Sequence, residues 1–486
     1  MKIAISYPPL ESEKGVPLLG QNRQFQWFNN PTYIYPMVPA YAASLLKSKG
    51  YEVEWNDGIA EEWSYEKYLE NYKKKQFDLI MIESKTPVIK LHWKIIDQLK
   101  AINPQCKIAL VGDHVTEFPE ESMNSSKVDF ILTGGDYDFL LLNLADNLDK
   151  DGTLHEEKLE NGIWYRKDGD LKNSGSFELT HDLNELPMID RDLTNWKLYS
   201  EKNGNYRKLP GTYTYASRDC WHGKCTFCSW ASLYPRYRAI TAISLLDEVG
   251  ILIEKYGVKE IMDDSGAFPI GKWLKEFCDG MIERGYNKKV TMDCNMRFGA
   301  LSLDEYKLMK KAGFRFVLFG LESANNETLK RIKKNSNIEL MIESCKLARK
   351  AGLSPHVTIM FGYPWEDQEQ VNKTIEVGKM LLRKGYANTL QSTIITPYPN
   401  TPLYKECKAN DWLQTEDWDE YDMRRPVMKT PIGDEKLRAA VQEVYKVAYN
   451  PEFIFRRLTS IRSFDDIKFY VRAAKKVMGH LLDFKE

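Results

Sequence analysis

The sequence predicts an α/β fold of two parallel-sheet units in series with a helical region after them, and three observations predict it. β-Prone runs alternate with helix-period runs from Lys2 to Leu148, the alternation resumes from Gly211 to Ile395, and beyond Glu406 helical spacing takes over. On this reading the 486 residues divide into a first unit, 1–150, a connecting segment, 151–210, a second unit, 211–405, and a helical C-terminal region, 406–486.

Strand-like Lys2–Ser6 ends at Tyr7-Pro8-Pro9, and Pro39–Lys49 follows with helical spacing. Next come strand Glu52–Trp55, helix Tyr65–Tyr72, strand Asp78–Ile82, helix Leu91–Ile102, strands Lys107–Val111 and Phe130–Thr133, and helix Phe139–Leu148. Such alternation implies a doubly wound parallel sheet, and ligands of such sheets lie against the loops at the strands' carboxyl ends. Those loops hold Tyr7 and Pro8, Ser84 and Thr86, Gly112-Asp113-His114-Val115, and Gly134-Gly135. Small residues and glycines there leave room for something bulky against the backbone. In the connecting segment, Gly162 to Leu171 reads as a hairpin turning at Asp168-Gly169, and Leu183–Tyr199 reads as a linker.

The second unit begins with strand Gly211–Ala216, and directly after it Cys220, Cys225 and Cys228 fall within nine residues. Three thiols on a loop leaving a strand suit one metal centre with an open coordination position. A zinc site that includes His222 is the alternative, at awkward geometry, because His222 lies only two residues from Cys220. Five further strands are expected at Glu260–Asp263, Lys289–Asp293, Phe314–Phe319, His356–Phe361 and Leu390–Ile395, with helices between them. The C-terminal region has helix-like Glu435–Tyr449. After it, Arg456, Arg457, Arg462, Lys475 and Lys476 interleave with Phe453, Phe455, Leu458, Ile461 and Phe469, which suits a solvated helical layer, a substrate cap or an amphipathic surface.

The cysteine triplet after the first strand, with Phe227 just before its last member, resembles the radical S-adenosylmethionine (SAM) superfamily. Its usual motif has three residues between the first two cysteines, where this chain has four. The resemblance implies a partial (β/α)6 barrel for the second unit and a [4Fe-4S] cluster on Cys220, Cys225 and Cys228. It also implies SAM on the open iron, with Phe227 near the adenine and Asp264, Arg297, Glu322 and Ser323 as contacts. A carboxylate such as Glu322 suits an ammonium or ribose hydroxyl, and the guanidinium of Arg297 suits a carboxylate. The family's fifth-strand pattern usually has Gly where Trp365 stands.

The ordered loops of the first unit resemble the Rossmann-like cobalamin-binding domain of cobalamin-dependent radical SAM enzymes. Tyr7, Pro8, Ser84, Thr86, Gly112, Asp113, His114, Val115, Gly134 and Gly135 would then be cofactor contacts. The Asp-x-His-x-x-Gly motif of cobalamin mutases is absent, so no histidine is expected beneath cobalt. A domain that has lost cobalamin is the alternative. The implied reaction is methylation of an unreactive carbon with two SAM, one methylating cobalamin and one giving a deoxyadenosyl radical. A radical cyclase or rearrangement enzyme is the second reading, and a non-catalytic metal-binding redox sensor the third. The resemblance also implies a small-molecule or lipid-like substrate and a reductant such as flavodoxin or ferredoxin.

Composition fits. A net charge of −1 offers no pull toward nucleic acid, and 43% hydrophobic residues supply sizeable cores. The apolar start Met1–Ser6 is too short for a signal peptide and no run reaches transmembrane length, so a cytoplasmic location is expected. Reducing conditions there suit free thiols, and the dispersed Cys106, Cys278, Cys294, Cys345 and Cys407 read as packing residues.

Overall fold

The computed structural model describes residues 1–17, 19, 25–201, 203, 206–461, 467, 468, 471 and 472. Its first sheet contains β1 (Lys2–Tyr7), β2 (Glu52–Asp57), β3 (Leu79–Ser84), β4 (Lys107–Gly112), β5 (Phe130–Leu132), β6 (Ile163–Lys167) and β7 (Asp170–Asn173), in the spatial order β2-β1-β3-β4-β5-β6-β7. The first five strands are parallel. All six residues of β3 are buried, as a central strand covered by helices on both faces requires. The chain order of these five strands reverses between β1 and β3, and at such a switch point a crevice opens beyond the carboxyl ends.

The hairpin expected at Asp168-Gly169 forms there, both residues taking positive φ (52° and 88°), and it joins the first sheet as antiparallel strands beside β5. The connecting segment thus contributes its own two strands to that sheet.

The second sheet has β8 (Gly211–Thr214), β11 (Glu260–Asp263), β12 (Thr291–Met296), β13 (Phe314–Glu322), β14 (Ser354–Phe361) and β15 (Thr389–Ile394), all parallel and in chain order. This is the partial barrel of six βα units. Between β8 and β11 a small antiparallel ribbon, β9 (Ser217–Arg218) and β10 (Arg238–Ala239), closes the cysteine loop at its base. Helices begin where the sequence supplies caps. Ser302 with Glu305, and Asp367 with Gln370, form capping boxes ahead of helices Leu303–Lys311 and Gln368–Arg383.

The C-terminal region departs from continuous helix. Helices Pro402–Ala409, Asp434–Glu443 and Pro451–Thr459 are present, but 410–433 is largely irregular, with a single 3-10 turn at Trp418–Glu420. Its apolar residues Trp418, Tyr421, Met423, Val427 and Met428 are buried. The stretch returns to the first unit, where the Trp418 indole donates to Glu121 at 2.9 Å and Lys90 pairs with Asp417 at 2.5 Å. Tertiary burial, with Pro426 and Pro431 breaking the helical ladder, overrides helix here. Of the expected basic and aromatic set, Arg456, Arg457, Phe453, Phe455, Leu458 and Ile461 are described, whereas Arg462, Phe469, Lys475 and Lys476 lie outside the described residues. No described helix is long and apolar enough to cross a membrane.

Candidate active site

The mouth of the partial barrel is built from the loop that follows β9 and from the carboxyl ends of β11 to β15. Cys220, Cys225 and Cys228 are half-buried in that loop and take part in no disulfide, whereas the five dispersed cysteines are buried. Among the described residues no three His, Cys, Asp or Glu side chains converge tightly enough to enclose a metal ion. His222 is engaged elsewhere, its Nε2 lying 2.7 Å from the Lys333 carbonyl. The donor chemistry on the loop is three thiols with cations beside them. Burial pushes the Cys225 thiol up, while the charges of Lys334 and Arg297 pull it down. Those cations suit an anionic group carried by the thiols.

Glu322 is aimed into this mouth by local backbone geometry. The pairing of β13 with β14 shifts register between Gly320 and Glu322, and Glu322 takes a left-handed φ of 67°. A bulge of this kind re-aims a side chain at a strand end. Its carboxylate accepts from Lys334 Nζ at 2.6 Å. Glycine at 320 is what admits the pair, since a Cβ there would stand 2.1 Å from Glu322 Oε1 and 2.8 Å from Lys334 Nζ. Burial draws the Lys334 ammonium down, but Glu322 and Cys225 outweigh it and hold the pKa above the ordinary value.

Arg297 donates to the Lys334 carbonyl and lies over the Trp221 ring at 5.5 Å, and Lys334 lies 5.9 Å from the Phe227 ring. Cys225, Phe227, Arg297, Glu322 and Lys334 are therefore neighbours. The lysine had no signal in the sequence, because a basic residue after a short helix looks like an ordinary solvated one.

The other expected barrel residues sit differently. Ser323 is fully buried and donates to Glu366 Oε1 at 2.6 Å, which fixes the turn after β13. Asp264 is buried after β11, its amide donating to the Thr214 carbonyl at 3.0 Å. Tyr363, after β14, is fully buried with no hydrogen-bond partner for its hydroxyl. After β15, buried Thr396 and both amide atoms of Asn400 are likewise unpartnered. Trp365 lies under the Arg331 guanidinium at 3.9 Å, a cation–π contact.

At the first sheet's carboxyl edge, Tyr7 donates to Glu83 across the switch between β1 and β3, and Tyr137 donates to the same carboxylate at 3.3 Å. Burial raises the Glu83 pKa, opposed by Lys85 and by the bond from Tyr7. Ser84 bonds His92 at 2.7 Å, and buried Thr86 has no partner for its hydroxyl. Asp113 lies 3.9 Å from Lys85, Pro8 and Val115 are buried, and Gly112 takes φ 126° with the Ser84 carbonyl where a Cβ would be. The space left by Gly134 and Gly135 is taken by the chain's own Phe177 and Tyr234 rings. His114 points away into an aromatic box of Trp93, Phe118 and Trp418, with Nε2 3.1 Å from Glu121. We predict that His114→Ala retains any corrinoid the protein carries and lowers unfolding free energy by about 2–4 kcal/mol, the cost of a cavity in that box. Absorbance and urea denaturation of the same sample check both parts.

The two edges face each other. Lys85 lies over the Trp230 ring at 5.7 Å, the Gly135 amide donates to the Leu233 carbonyl at 3.1 Å, and Tyr234 donates back to the Gly135 carbonyl at 3.0 Å. A cleft of about 480 Å³ opens along this seam, between Thr116 and Phe177 on one side and Ser232, Asn400 and Lys405 on the other. Partnerless buried polar atoms on both edges, at Thr86, Tyr363, Thr396 and Asn400, fit polar cofactors that would bond them.

Residues 214–377 match the radical SAM superfamily. This chain therefore carries a radical SAM domain. It is 28% identical to an uncharacterised methyltransferase of Pyrococcus horikoshii over 84% of this chain and 86% of that one. It is 24% identical to the anaerobic magnesium-protoporphyrin IX monomethyl ester cyclase of Cereibacter sphaeroides, over 86% of this chain and 68% of that one. The whole fold, both sheets included, matches that of TsrM from Kitasatospora setae, a radical SAM methyltransferase solved with cobalamin and a [4Fe-4S] cluster bound. The TM-score is 0.69 at 14% identity, covering 99% of each chain.

Proposed function

We propose that this chain is a cobalamin-dependent methyltransferase acting on an unreactive carbon of a small-molecule or lipid-like substrate. The observation that carries the reading is the facing of two strand-end surfaces, one ending at the cysteine loop and one at the switch between β1 and β3. Cys220, Cys225 and Cys228 would hold a [4Fe-4S] cluster fed by a flavodoxin- or ferredoxin-like reductant in a reducing, cytoplasmic setting. Glu322, Arg297, Phe227 and Asp264 would bind SAM, with Ser323 keeping the Glu322 turn in shape. Tyr7, Pro8, Ser84, Thr86 and the backbone of 112–115 would cradle cobalamin, with no ligand from His114, while Gly134 and Gly135 pack against Phe177 and Tyr234 instead. When bound, these cofactors supply a carbon-centred radical and a methyl donor that a substrate radical can use, which polar attack on SAM cannot provide.

The chain's own residues orient and enclose. Glu322 and Arg297 would fix the two ends of an amino acid moiety, and the packed seam would keep water from the reacting centre. Anaerobic protein reconstituted with iron and sulfide and given SAM, cobalamin and dithionite should yield both 5′-deoxyadenosine and S-adenosylhomocysteine. The likeness to the Cereibacter cyclase over most of the chain supports a second reading, a radical cyclase, for which deoxyadenosine would form alone. Neither product would leave a metal-binding sensor.

A further inference from the structure

All three thiols lie on one loop, residues 219–237, whose ends are joined by a ribbon of just two residue pairs, Ser217↔Ala239 and Arg218↔Arg238. Such a ribbon does not hold itself. A two-stranded hairpin is marginal alone, and like charges directly opposite each other repel.

The compensating charge comes from the other unit. Arg218 Nη1 donates to Asp136 Oδ1 at 3.0 Å and to Asp138 Oδ1 at 2.9 Å, and its Nη2 donates to Asp138 Oδ2 at 2.5 Å. Arg238 donates to both oxygens of Asp136, at 2.6 and 2.7 Å. Arg218, Asp136 and Asp138 are each at most 2% exposed, so water does not substitute for these bonds. His181 stands 3.7 Å from Asp136 and 3.0 Å from Glu160, and stacks on Phe139 at 4.1 Å. Three cationic side chains thus meet three carboxylates.

Asp136 lies on the turn after β5 that carries Gly134 and Gly135, and Asp138 lies in the first turn of the helix Tyr137–Asp146 that follows it; the turn also bonds Leu233 and Tyr234 on the far side of the cysteine loop. The loop is therefore gripped at its base and along its return by one short segment of the first sheet.

We propose that Asp136 and Asp138 form an electrostatic clasp that holds the cysteine loop closed, which makes them positioning residues for whatever the thiols carry. The clasp depends on docking of the first sheet, so the cysteine loop takes its final shape only when the two units are joined. The assignment of the loop as a cluster loop rests on the function proposed above, whereas the clasp itself does not.

Hydrogen exchange on the full-length, metal-free protein separates the two. In Asp138→Asn, amides of 219–237 should exchange about tenfold faster or more than in wild type, with β11 to β14 unchanged, because a buried guanidinium has lost its bidentate partner. After reconstitution, a ferrous chelator should extract iron correspondingly faster from this variant. The electron paramagnetic resonance spectrum of the reduced centre should also differ, and Asp138→Glu should restore it. If Asp138→Asn does not fold, Arg218→Lys, which keeps the charge and loses the fork, should show the same exchange signature. Unchanged exchange over 219–237 in a folded variant overturns the clasp. Wild-type protein that takes up no iron would overturn the cluster assignment, while the exchange result still decides the clasp.

Discussion

Replacing Cys220, Cys225 and Cys228 together by Ala should abolish the brown absorbance and reduce SAM cleavage below detection, while the protein stays folded. The expectation of total loss follows from the donor set. A thiolate is the group that binds iron, and alanine offers no lone pair in its place. Folding should survive because the three side chains are half-buried on a loop, outside the sheets that form the core. Such sites cost about 1 kcal/mol or less when a small side chain is trimmed. Iron and sulfide content, the 400 nm region of the absorbance spectrum and chromatography of deoxyadenosine check the first part, and circular dichroism checks the second. Iron and sulfide undiminished in the triple variant would remove the metal assignment.

Much of this architecture was legible because period and chemistry agreed along the chain. Strand Glu260–Asp263 falls at the expected residues, and a helix forms between the fifth and sixth strands of the second unit, where the capped amphipathic pattern of Gln368–Arg383 leaves little choice. The cysteine loop was legible from thiol density alone. Residues 410–433 were not, because their local preference gives way to burial of Trp418 and Tyr421 against distant elements. The glycines at 134 and 135 were read as space for a ligand, and sequence has no means of saying that Phe177 and Tyr234 would fill it. His114 sits in a loop rich in candidate contacts, yet its ring direction depends on Trp418, about three hundred residues away. Lys334, Arg218 and Asp138 were invisible for the same reason. Each acquires its meaning from a partner in another element, and a lone charged residue carries no mark of burial.

Lys334 gives the sharpest quantitative expectation. Its ammonium lies 2.6 Å from Glu322, with side-chain exposures of 13% and 8%, so both charges are largely removed from water. Removing one partner of such a pair leaves the other buried and uncompensated, at a cost of about 3–5 kcal/mol, whereas removing both restores neutrality. Lys334→Met should therefore lower unfolding free energy by about 3 kcal/mol, and the double variant Lys334→Met with Glu322→Gln should recover about 2 kcal/mol of that. Urea titration of the four proteins measures the coupling. The pair also bears on cofactor binding. If Glu322 receives the ammonium of SAM, Lys334 is the charge that SAM must displace or share, so SAM should stabilise Lys334→Met by more than it stabilises wild type. At a hundred times its dissociation constant, a ligand adds about 2.7 kcal/mol, which is large enough to read as a shift in urea midpoint. Glu322→Gln should show little such protection at the same SAM concentration. Loss of protection in Lys334→Met as complete as in Glu322→Gln would mean that the lysine faces the carboxylate of SAM directly, and that Glu322 serves to hold the lysine in place.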